Sequence, residues 1–211
     1  MKKIFFACSL LTLTLTACVP VVLVGAGAVA GTSLARDSRS LQTISDDTDI
    51  QFQAAQKIQQ NKLTATGTNI NVTSFNYVVL LTGQVASAEV RTEAETLVQS
   101  VPKVRRVYNK IEIAPQIGMI QKANDASIST NIKGRMLVTN NLNTNNFKYV
   151  VENKVVYLMG YATREETQVA LDVIRNSAGV KRVVNLVQLE DQSTTTTPAP
   201  TTTAPTSPPV T

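Results

Sequence analysis

From residue 46 onward the chain switches between two spacings of apolar residues, and it runs through the same order twice. Ile50, Ala54 and Ile58 recur at i, i+4 and i+8, as do Ile128, Ile132 and Met136, which is the period of one buried helix face. Asp46-Asp47-Thr48-Asp49 and Asn124-Asp125 stand before these stripes, and acids there predict helix N-termini. Period-two alternation follows at Ile70 and Val72, and again at Phe147 and Tyr149. Nearly continuous apolar strands come next, at 77–82 and 155–159, with connections short enough for hairpins. Helices are then predicted from Ser87 and from Thr163, where Thr163-Arg164-Glu165-Glu166 has capping-box spacing. Pro102 and Gly179 stop them, and the last strands alternate strictly through Val107, Asn109, Ile111, Ile113 and Val183, Asn185, Val187, Leu189.

The two passes are related residue by residue. V-V-L-L-T-G-Q at 78–84 matches V-V-Y-L-M-G-Y at 155–161, and V-R-R-V-Y-N-K-I-E-I at 104–113 matches V-K-R-V-V-N-L-V-Q-L at 180–189. The chain therefore holds an internal repeat of about 70 residues, near the small end of self-sufficient domains. The predicted fold class is α+β. Residues 46–114 and 115–190 form one unit each, ordered α-β-β-α-β, with a three-stranded mixed sheet and two helices packed on one face.

The first 45 residues read differently. Met1-Lys2-Lys3 and the apolar run from Ile4 to Ala17 describe a secretory leader, residues 1–17, removed from the mature protein. Leu15-Thr16-Ala17-Cys18 resembles the bacterial lipobox, which makes Cys18 the expected lipidation site and residues 18–45 a lipidated N-terminus and tether. A transmembrane helix is the rival reading, since few charges interrupt residues 4–35 and about 20 apolar residues suffice. Pro20, Gly25, Gly27 and Gly31 weigh against it, and it leaves the Cys unexplained. Val19 rather than Asp after the Cys points to the outer membrane under sorting rules like those of Escherichia. Residues 191–211 are Thr- and Pro-rich, a composition that buries no core and fits a disordered spacer or an O-glycosylated stalk.

Composition then removes whole classes of chemistry. The chain has no His, and Cys8 leaves with the leader, so thiol nucleophiles, His bases and Cys/His metal sites are not expected. No catalytic residues, no metal site and no cofactor are expected. Without Lys2 and Lys3 the balance is 18 basic to 15 acidic residues, a net +3 too mild for a nucleic-acid partner. The excess sits in residues 115–190, with nine bases against six acids, while residues 46–114 balance at seven each. A negatively charged surface would meet the second unit.

The doubled α-β-β-α-β pattern, the VxLxG strand end at Gly83 and the GV(K/R)RVxN start at Gly179 resemble tandem BON domains. With the lipobox in front, the chain is similar to dual BON-domain outer-membrane lipoproteins. That resemblance implies a lipid-anchored, periplasm-facing protein that supports envelope integrity and meets anionic phospholipid through the first helix of the second BON domain. On a helical wheel of residues 124–138, Ile128, Ile132 and Met136 face the core. Ser127, Thr130, Lys133, Gly134 and Leu137 then lie outward, with Arg135 at the border, and these six are the expected phospholipid-binding residues. One departure stands out: the family pattern carries a large aromatic where this chain has Ser127. The paired cations Arg105-Arg106 and Lys181-Arg182 offer a secondary contact or are simply solvated strand starts. The competing reading is a protein-interaction adaptor that uses its sheet faces to dock an envelope partner.

Overall fold

A computed structural model describes residues 37, 39–63 and 67–190. The predicted leader, Cys18 and the Thr/Pro tail lie outside these residues. Helix α1 spans Leu41–Gln60 and begins at Ser40, whose side chain accepts from the Thr43 amide. Helix α3, its counterpart, spans Met119–Val138. Both start earlier than the acidic residues predict. Asp46, Asp47 and Asp125 lie inside the helices and are buried.

Their role is long-range. Strands β1 (Asn69–Phe75) and β2 (Val78–Val85) form an antiparallel hairpin, as do β5 (Phe147–Glu152) and β6 (Val155–Ala162). The two-residue turns, Asn76-Tyr77 and Asn153-Lys154, have positive φ at both positions, the primed geometry that matches strand twist. Asp47 accepts from the amides of Asn76 at 2.6 Å and Tyr77 at 2.9 Å. Asp125 accepts from Asn153 at 2.7 Å and Lys154 at 2.8 Å. Each acid thus fastens a hairpin turn to the first helix of its unit.

Helices α2 (Ala88–Gln99) and α4 (Arg164–Arg175) begin one residue after Ser87 and Thr163, and Thr163 and Glu166 close the capping box. The chain returns through β3 (Arg106–Asn109) and β4 (Glu112–Ile113) in the first unit, and β7 (Arg182–Leu189) in the second, parallel to β2 and β6. The last strand of the first unit is in two pieces, which its alternation does not foretell. Gly83 has φ +117, and Thr82 and Gly83 drop out of pairing between Leu81–Asn109 and Gln84–Glu112. A Cβ on Gly83 would stand 1.8 Å from the Asn69 carbonyl oxygen, so β1 runs too close for any side chain. Gly160 lies outside the left-handed region, and β7 pairs with β6 without interruption.

Each sheet buries one face under its own helices, around Val79, Leu81 and Val98 in one unit and Val156, Leu158 and Ile174 in the other. The opposite faces pack on each other. Phe75, Val78 and Leu80 meet Val155, Tyr157, Met159 and Leu186 in one buried cluster. This explains why β2 and β6 are apolar on both faces. Gln84 donates to Glu152 at 2.6 Å and Asn71 donates to its other oxygen at 3.3 Å, bridging the sheets. The helices are left outward, so the sheet faces an adaptor would use are already covered.

Candidate functional site

Within α3 the core stripe falls where the wheel puts it: Ile132 is fully buried, with Ile128 and Met136 nearly so. Ser127, Thr130, Lys133, Gly134, Arg135 and Leu137 are all exposed. The six predicted residues therefore share the solvent side, with Lys133 on one flank and Arg135 on the other.

The helix starts at Met119 rather than near residue 124, and that adds residues the sequence reading omits. Met119 is 85% exposed and Ile120 is 76% exposed, and at the other end Leu137 and Val138 are 63% and 81% exposed. Large apolar side chains thus stand in water at both ends of a 20-residue helix. Small residues, Ala123, Ala126 and Gly134, lie between. Met119 and Leu137 are five helical turns apart on the same face. The signal that would have found them is the run Met119-Ile120 behind Gly118, an uncapped helix start.

Exposed charge on this helix has one sign. Lys122, Lys133 and Arg135 are exposed, and Asp125, the lone acid, is buried against the β5–β6 turn. Arg135 also sits in the last turn, where it complements the negative end of the helix dipole. Apolar side chains at both ends, with flanking cations, exposed polar residues between and no exposed acid, suit the boundary between lipid headgroups and acyl chains.

Three of the strand-start cations, Arg105, Arg106 and Arg182, are engaged within the fold. Arg105 lies 4.3 Å from the Tyr77 ring centroid, and Arg106 donates to the Tyr108 hydroxyl at 3.0 Å. Burial raises the Tyr157 pKa, the nearby Glu112 charge adds to this, and Arg182 opposes it. Among the described residues no group of three or more Asp, Glu, Cys or His is placed to hold a metal. No described helix is long and apolar enough to cross a membrane.

The model of the BON domain matches residues 46–115 and again 124–191. The chain belongs to the BON-domain family. Each BON match corresponds to one helix–hairpin–helix–strand unit, and the second contains most of α3. The chain is 31% identical over 180 residues to the outer membrane lipoprotein DolP of Haemophilus influenzae, covering 85% of this chain and 92% of that one. It is 29% identical over 151 residues to a 21 kDa hemolysin of Actinobacillus pleuropneumoniae, covering 72% of this chain and 78% of the relative. A solved structure of CdsD, a type III secretion protein of Chlamydia trachomatis, aligns over 67% of this chain and 92% of its own at 13% identity and a TM-score of 0.27, a likeness that bears no argument.

Proposed function

We propose that this BON protein is an outer-membrane lipoprotein, anchored through Cys18 and facing the periplasm, that binds anionic phospholipid through α3 of its second domain and helps maintain envelope integrity. Its kinship with an outer-membrane lipoprotein supports the location. The observation that carries the lipid reading is the outward face of α3: exposed Met119, Ile120, Leu137 and Val138 flanked by three cations with no exposed acid. Each cation near an anionic surface contributes about 1 kcal/mol, so this contact is weak and reversible. Weak contact suffices for a tethered protein, because tethering raises the effective concentration of the second contact. The role is one of binding, without catalysis.

Sedimentation of the full chain with phosphatidylglycerol vesicles tests this. The double substitution Lys133→Glu, Arg135→Glu is expected to lower vesicle binding at least tenfold while lowering the melting temperature only slightly, through the lost dipole contact of Arg135. Unchanged binding would remove α3 from the lipid contact.

A further inference from the structure

The outward face of α3 does not end at the helix. Between the end of α3 and β5 lies a groove of about 340 Å³, with Met136, Leu137, Phe147 and Tyr149 on its walls and Lys133 and Lys148 at its edges. A second groove of about 390 Å³ continues from it onto the first domain, and Thr144, Phe147 and Lys148 line both. Lys148 stands where they join. Its ammonium donates to the Ser74 carbonyl at 3.3 Å and to Gln51 Oε1 at 3.4 Å, both in the first domain.

Charge in these grooves is unevenly compensated. Asp37 and Asp47 line the second groove, but each is bound by Arg39 at 2.9 Å, and Arg39 also stacks 3.7 Å from the Phe75 ring centroid. Neither Lys133 nor Lys148 has a carboxylate partner among the described residues. Packing against the first domain pushes the Lys148 pKa below the usual lysine value, with Asp47 opposing and Arg39 reinforcing that push. Lys148 stays exposed, so an anion can reach its ammonium from solvent.

We propose that this groove holds a single anionic glycerophospholipid, its phosphate between Lys133 and Lys148 and an acyl segment along Leu137, Phe147 and Tyr149. The proposal rests on the phospholipid reading of α3 and extends it to a two-domain site. Apolar walls with cations at the edge match one amphipathic molecule, whereas a free phosphate would leave the walls unused. Because Lys148 also bonds to Ser74 and Gln51, occupancy of the site depends on the docking of the two domains.

The test uses the full chain carrying Cys18→Ala, which alters no described residue, titrated with dihexanoyl phosphatidylglycerol below its micelle concentration. Saturable amide shifts are expected at Leu137, Thr144, Phe147 and Lys148. Lys148→Ala should weaken binding about fivefold, the worth of one cation, and Lys148→Arg should restore it. Inorganic phosphate producing the same shifts at the same concentration would overturn the lipid assignment. Shifts confined to the outer face of α3, with Lys148→Ala binding as tightly as the parent, would overturn the groove and leave the α3 reading standing. Failure of the α3 reading shows separately, as loss of sedimentation of the unsubstituted chain with phosphatidylglycerol vesicles.

Discussion

The two BON domains share a skeleton and differ on the surface of their first helix. In both, Ile50 or Ile128 leads the core stripe, and Asp47 or Asp125 pins the hairpin turn. Outward, α1 mixes exposed Asp49 and half-buried Lys57 with polar Gln side chains, and its exposed large apolar residues are Leu41 at the start and Phe52 in the middle. Facing outward on α3 are three cations, no acid, and apolar side chains at both ends. Duplication preserved what the fold requires and released what it does not. Function is therefore to be sought where the copies diverge outside the core.

The matched glycines give the sharpest way to break the likeness. At Gly83, Ala has both a positive φ and a backbone oxygen 1.8 Å away. Gly83→Ala is expected to cost about 3 kcal/mol or more in urea unfolding. Gly160→Ala meets the Phe147 ring at 2.8 Å and the Asn146 carbonyl at 2.9 Å without the left-handed backbone. It should cost about 1–3 kcal/mol, the overpacking range. Equal losses would mean that the positive φ at position 83 adds nothing to the cost of a side chain there.

The paired acids come next. Asp47→Asn and Asp125→Asn each weaken an acceptor shared by two turn amides, at about 1–3 kcal/mol. Asp47 should be the costlier loss, since it also accepts from Ser74 Oγ at 2.8 Å and pairs with Arg39 at 2.9 Å. Urea unfolding of the two variants side by side checks that ranking.

The smallest effect lies between the domains. Burial raises the Glu152 pKa above its ordinary 4.5, the bond from Gln84 opposes this, and the nearby Asp125 charge adds to it. An acid raised in the folded state stabilises folding when protonated, and that contribution fades as pH climbs from its unfolded pKa through its folded one. The melting temperature of Glu152→Gln relative to the parent should therefore rise with pH above about 4.5. A difference that stays flat between acid and neutral pH would show that Glu152 carries no such cost.

Much of this comparison is legible in the sequence. The repeat, the core stripe of α3, the starts of α2 and α4, and the exposed positions of Ser127, Thr130, Lys133, Gly134, Arg135 and Leu137 all follow from periodicity and capping chemistry. What periodicity misses is contact at a distance. Asp47 and Asp125 look like helix-start acids because the same carboxylate satisfies free amides in a turn about 30 residues away. The all-apolar runs of β2 and β6 announce burial on both faces but not that each sheet is the other's cover. Lys148 gives no sign in sequence, because its partners, Ser74 and Gln51, belong to the other domain.

Hydrogen–deuterium exchange of the full chain, with and without phosphatidylglycerol vesicles, tests the central claim most directly. Side-chain burial at a lipid surface slows opening of the helix that makes the contact. The account predicts added protection across residues 119–138 and none across 41–60. Equal protection of both helices, or protection of 41–60 alone, would contradict it.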